Sequence, residues 1–255
     1  MTLAIKNLVA AAAFVAAGMA SAAPVTVVTG SDNYNGYPIS GTGTLAFSAA
    51  LLEALDVGQI VISPYGDLVS SVVDNDQGYY EAVSATARVT SLSIDSATGT
   101  VLSAATTGGL QQIAPFQRSV STGGSLIVTD LNVDLGAQRV FATVIGGNGV
   151  GTLTNFHLWN IDSITGATAV TGPGEYTTYL SGLSITEAGF NTFVQSLGLL
   201  SLGRGALATV EDFGTITSTI LVAGPLTPPI PEPSTYALMG VGLLGIALAV
   251  RRRPK

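Results

Sequence analysis

The sequence predicts a mainly β fold, with antiparallel hairpins forming a sandwich or meander, one or two short helices, and a C-terminal transmembrane helix. Three observations predict it. Ser, Thr, Gly, Ala and Val dominate the interior of the 255-residue chain, and turn residues recur roughly every eight to twelve positions, the pattern of short strands joined by tight turns. Apolar residues alternate with small or polar ones, most clearly at Val83, Ala85, Ala87 and Val89, as a half-buried strand requires. The run 235–250 is uncharged and apolar and ends at Arg251, Arg252 and Arg253.

Taken in order, the N-terminus has a positive residue, Lys6, an apolar stretch over 8–17 and small residues at Ala20 and Ala22. This is the layout of a cleaved export signal, with cleavage after Ala22 by signal peptidase. Residues 25–29 read as a strand, 31–36 as a polar loop ending in a turn glycine, and 42–47 as a strand. Residues 48–55 read as a short helix, because Leu51, Leu52 and Leu55 share one face. A strand over 59–62 stops at Pro64.

The stretch 74–78 (Asp-Asn-Asp-Gln-Gly) resembles the start of a calcium loop at Asp74 and Asp76. A calcium loop would need a bidentate glutamate where Ala85 stands, so a polar turn is expected, and weak calcium binding stays open. The alternation from Val83 changes phase at Leu92 and Ile94, which predicts a bulge or a bend between sheets. Hairpins follow around 95–99 and around 136–138. The segment 94–99 is echoed at 161–166, and Asp95, Asp134 and Asp162 are expected to bond turn amides. Their spacing is too uneven for a solenoid. The glycine-rich 146–151 reads as a flexible hairpin tip rather than a phosphate loop, because strands flank it on both sides. The best helix is 187–197, capped by Thr186 and ended by Gly198, with Phe190, Phe193, Val194 and Leu197 on one side. A last strand covers 215–222.

Beyond it, prolines make 224–231 a stiff, extended spacer. The sixteen residues of 235–250 would span about 24 Å as a helix, short of the roughly 30 Å of a bilayer core. Arginine snorkelling covers such a mismatch, and the arginines hold that end in the cytoplasm. The expected division is therefore an export signal (1–22), a β-rich domain (23–223), a Pro-rich spacer (224–234), a transmembrane helix (235–250) and a basic cytoplasmic end (251–255).

Charge and composition exclude several function classes. Residues 23–230 hold fifteen acidic residues against Arg88, Arg118, Arg139 and Arg204, with no lysine, a net charge of −11. Such a domain repels nucleic acid and anionic lipid. The chain has no cysteine, no G-x-S-x-G and one histidine. Acyl-transfer nucleophiles and structural zinc therefore lack their residues. No catalytic residue, metal ligand or cofactor is expected, and the chain reads as a non-enzyme. His157 and Trp159, two apart in a strand-like run, are the candidates for contacting a ligand, with Tyr79 and Tyr80 as aromatic company.

The tail as a whole resembles the PEP-CTERM sorting signal. Pro231, Glu232 and Pro233 match its triplet, 235–250 its short helix, and Arg251, Arg252 and Arg253 its basic end. That resemblance implies recognition by an exosortase, an integral-membrane cysteine enzyme that removes the tail, in a Gram-negative host that makes extracellular polysaccharide. It further implies a transient stay in the inner membrane with the domain in the periplasm, then a place on the cell surface or in the matrix of a biofilm. Exopolysaccharide becomes an expected partner. The interior is also similar, in hairpin rhythm and small-residue content over 131–144 and 186–214, to secreted HtaA-type domains, some of which bind haem. The alternative this implies is a secreted module for a glycan or a haem-like small molecule. No ligand motif is matched, so no residue is carried over.

Overall fold

The computed structural model describes residues 23–224 and the pair 238–239. The export signal with Ala20 and Ala22, the triplet Pro231, Glu232 and Pro233, the rest of the run 235–250, and Arg251, Arg252 and Arg253 lie outside the described residues. Among the described residues no helix is long and apolar enough to cross a membrane.

The domain is built from thirteen strands and three helices. In chain order they are β1 (Pro24–Val28), β2 (Asn33–Tyr34), β3 (Tyr37–Phe47), α1 (Ala49–Val57), β4 (Val61–Tyr65), β5 (Leu68–Asp76), β6 (Tyr79–Asp95) and β7 (Val101–Thr107). Then come β8 (Gly109–Gln117), β9 (Ser121–Asp134), β10 (Arg139–Gly146), β11 (Gly151–Gly166), β12 (Gly174–Ile185), α2 (Glu187–Ser196), α3 (Ser201–Ala208) and β13 (Gly214–Val222).

The mainly β, antiparallel expectation holds, but the sheet is neither a sandwich nor an open meander. From β8 to β13 each strand pairs with the next, as in a meander. β13 then pairs with β3, β3 with β6, β6 with β7, and β7 with β9. That last pairing closes a ring of eight strands into a barrel. An eight-stranded barrel has an interior just wide enough to be filled by side chains. Two long strands make closure possible by serving two partners along one edge. β6 pairs with β5 over its first half and with β7 over its second. β9 pairs first with β8 and then, past Asp130, with β7. Asp130 sits at φ 52°, a left-handed conformation that Asp tolerates, and the bulge there switches the edge. Below the end of β7 the sheet therefore forks.

The phase change expected in β6 is present. Val83, Ala85, Ala87 and Val89 point inward, and after a bulge between Val89 and Ser91 so do Leu92 and Ile94. The turn at 77–78 has φ of 53° and 93°, the left-handed pair that a two-residue hairpin favours. Asn75 Oδ1 accepts from the Gly78 amide at 3.0 Å. Asp95 and Asp134 cap their turns as expected, accepting from Ala97 and Ala137 at 2.8 Å each. Asp162 does not: it lies inside β11, which runs unbroken to Gly166. The strand expected to stop at Pro64 includes it, because β4 pairs with β8 alone and an edge strand tolerates proline.

α1 and α2 form where expected. Ser48 Oγ accepts from Leu51 N at 3.1 Å, and Thr186 Oγ1 from Gly189 N at 2.9 Å. A third helix, α3, exceeds the expected number. It carries two glycines and has no side-chain N-cap, so local propensity does not announce it. It is held instead by packing, with Leu207 buried and Arg204 lying 5.6 Å from the centre of the Phe190 ring. The three helices contribute Leu51, Leu52, Leu55, Phe193 and Leu207 to the main core, with Leu197 at the end of α2, and this core fills one end of the barrel. A second core around Tyr34, Ile39, Leu92, Ile94 and Val170 fills the other. The glycine-rich tip is tied down rather than loose: Asn148 Nδ2 donates to the carbonyls of Gly123 and Ser196, and Gln195 Nε2 to that of Asn148.

Candidate functional site

Between the two cores the barrel is not full. A cavity of about 50 Å³ lies on the helix side, beside Leu45, Leu131, Trp159, Phe193 and Phe213. A second of about 30 Å³ lies toward the other end, beside Leu92, Leu135 and Tyr176. Gly43, Thr106, Val133 and Ile216 line both and form the waist between them. No residue lining either cavity is charged. The space exists because the inward positions there are small: Gly43 on β3, Ala85 and Ala87 on β6, and Ala104 on β7. Larger residues at these positions would close an eight-stranded interior.

Three polar side chains stand on this apolar wall: Thr106, whose hydroxyl donates to the Leu131 carbonyl, Trp159 and Gln112. Trp159 is only 3% exposed, and its indole N–H is buried without an acceptor. Buried indole N–H groups usually find a partner, so an unpaired one marks either a cost or a place for one. Gln112 on β8, also buried, lines the same cavity. Trp159 reaches the interior through a β-bulge. Val140 pairs with Trp159 but Phe141 pairs with His157, so Leu158 is the extra residue.

That register separates the two candidates the sequence put side by side. Val140 and Ala142 are core residues, so Phe141 between them faces the other side of the sheet, and cross-strand partners share a face. His157 is therefore on the outer face, its ring 5.2 Å from that of Phe141. Its Nε2 is buried without a partner. His157 lines neither of the two interior cavities. Tyr79 is exposed beside the turn of the β5–β6 hairpin. Tyr80 is engaged within the fold: its hydroxyl donates to the Ile60 carbonyl at 2.7 Å and accepts from Ile62 N at 3.1 Å. Burial pushes the Tyr80 phenol up, opposed by the Ile62 amide and helped by the nearby Asp56.

Elsewhere, the Ala97 and Thr98 amides hold Asp95 below the usual carboxylate range. Hydrogen bonding from Thr171 lowers Tyr176. Both are turn-locking contacts on the surface. Among the described residues no group of three His, Asp or Glu side chains converges as a metal site. Asp74 and Asp76 belong to the β5–β6 hairpin, where Asn75 rather than either aspartate holds the turn. The cavity itself was missed in the sequence. Its signal was the run of small residues on the inward phase of β6, which reads equally well as tight packing.

Comparison with known proteins finds one family. Residues 229–253 match the PEP-CTERM protein-sorting motif, so the chain carries that signal, and the signal marks an exported protein destined for the cell envelope or surface. No curated protein matches the sequence. Among solved structures the chain is similar to the C-terminal domain of HtaA from Corynebacterium glutamicum. The TM-score is 0.45 and the identity 10%, over 78% of this chain and 100% of that one. It is also similar to the heme binding protein HtaB from the same organism. Here the TM-score is 0.40 and the identity 12%, over 73% of this chain and 96% of that one.

Proposed function

We propose that this is a non-enzymatic surface or extracellular-matrix protein, exported by a Gram-negative host and placed through its C-terminal signal, working in a biofilm or exopolysaccharide setting. The observation that carries the reading is the sorting motif at 229–253, which begins shortly after β13 ends at Val222. In this reading signal peptidase cuts after Ala22 and the chain pauses in the inner membrane with its barrel in the periplasm. An exosortase then acts near the Pro231-Glu232-Pro233 triplet. The absence of cysteine from the chain, and the packing of its one histidine against Phe141, support a role without catalysis.

Replacing Pro231, Glu232 and Pro233 together by alanine tests this. The variant is expected to stay with the inner membrane fraction while the wild type is released, because the apolar run and Arg251, Arg252 and Arg253 are untouched. Release of the variant at the wild-type level would reduce the triplet to a spacer.

A second reading is favoured by the cavity beside Trp159: the delivered barrel carries a small ligand. A macrocycle of haem size does not fit this interior, which is far below the roughly 300–1,000 Å³ of pockets that enclose drug-sized molecules. The single histidine is not part of its wall.

A further inference from the structure

We infer that the barrel interior is a binding site for a slender, neutral, apolar molecule with one hydrogen-bonding head, whose acceptor pairs with the indole N–H of Trp159. This rests on the reading of the domain as a ligand carrier and specifies its ligand class.

Size comes first. The larger cavity, about 50 Å³, holds roughly four water-sized spheres at ~10–15 Å³ each. The smaller, of about 30 Å³, lies against the same waist residues. Trp159 lines the first and Tyr176 the second, and spaces this small suit a short chain better than a fused ring system. Charge comes second. All four arginines of the domain are exposed and none lines either cavity. An anion placed here would be desolvated without a counter-ion, so the ligand is neutral. Polarity comes third. The wall is almost wholly apolar, yet it carries an unpaired donor at Trp159 and the buried amide of Gln112. A few convergent polar groups on an apolar wall are how small-molecule pockets fix orientation. A carbonyl or hydroxyl oxygen accepts from the indole N–H. A fully apolar chain leaves the indole as it is.

Entry is available where the sheet forks. Leu68, Gly108 and Gly109 line the cavity beside the turn from β4 to β5. β4 pairs only with β8, and β5 only with β6.

The test uses the full chain in lipid nanodiscs. Trp159 is its one tryptophan, so indole emission reports this site alone. Heptan-2-one is expected to change that emission saturably and to raise the melting temperature, since a ligand that binds only the folded state stabilises it. Heptane, which lacks the head, is expected to bind about tenfold more weakly by melting shift, the effect of one lost hydrogen bond. Gly43→Val fills the waist. Gly43 has an ordinary β conformation, and an added Cβ meets only Thr106 Cγ2 at 3.4 Å. Ala87→Val fills the same wall from β6, should the first variant fold poorly. Both are expected to abolish the heptan-2-one response. If heptan-2-one binds equally well to both folded filling variants, the ligand sits elsewhere; the inference then fails while the carrier reading stands. Equal affinity for heptane and heptan-2-one would remove the role of Trp159. No saturable response to either probe would overturn both.

Discussion

Tyr80 shows how much one oxygen can hold. Its hydroxyl ties β4 to the chain on both sides of Val61, through Ile60 and Ile62, while its own amide donates to the Asp56 carboxylate at 3.0 Å. Tyr80→Phe is expected to lower stability by about 1 kcal/mol, because the Ile62 amide loses its partner at a half-buried site. Denaturant unfolding measures this. The raised phenol pKa gives the sign of the pH effect: the contribution is complete below the ordinary value of about 10 and fades as pH climbs through the folded one. Tyr79 and Tyr80 look alike in the sequence. Their fates differ because successive strand residues face opposite ways, and only the partner strands decide which way is in. Asp95 and Asp134 were legible because an aspartate that bonds a turn amide acts within four residues. Asp162 was not, since the same local pattern also fits a strand running straight through. The role of Asp212 was not legible either. Its carboxylate accepts from Leu183 N and Gly214 N and pins the corner where β13 begins, a role visible only once β12 lies beside it.

At the level of elements, legibility follows locality. α2 could be placed to within a residue because its cap, its apolar face and its terminating Gly198 (φ 61°) are all written in one stretch. Thr186 does more there than cap, since its hydroxyl also donates to the His157 carbonyl at 3.0 Å and so joins α2 to β11. Thr186→Ala is expected to cost about 1–2 kcal/mol, the upper range for a lost cap, and to loosen β11. Hydrogen exchange should show faster exchange at Gly189 and around 157–159 than elsewhere. α3 was hidden for the converse reason, because packing supplies what its own sequence lacks. The bulge in β6 was readable from a one-residue shift of hydrophobic phase. The bulge at Leu158 was not: a histidine, a leucine and a tryptophan in succession carry no phase.

For the whole molecule, the difference between a sandwich and a barrel rests on two pairings, β3 with β13 and β7 with β9. Neither joins neighbours in sequence, so no periodicity or turn residue encodes them. Hairpin content fixes the strand class, and the ring has to be seen. Closure also makes the strands interdependent, since a barrel has no expendable edge within its ring. Ending the domain at Phe213, without β13, exposes one edge on β12 and another on β3 and opens the core around Ile216 and Ile220. That chain is expected to lose cooperative thermal unfolding by circular dichroism and to bind a hydrophobic dye. Removing β1, which lies on β6 outside the ring, should leave a cooperative transition at lower temperature.

The seam between β3 and β13 also sets a clock. Along one edge residues 39–47 wait for 214–222, although their other edge pairs with β6, and contacts that distant form late, after the entropy of a long loop has been overcome. A chain delivered N-terminus first can assemble its local hairpins on arrival but stays an open, unfinished sheet until Val222 is across. The sorting motif follows at residue 229. The domain therefore becomes a finished object only as its own routing signal comes next in line, so that a chain cut short during export is at once unfolded and unaddressed.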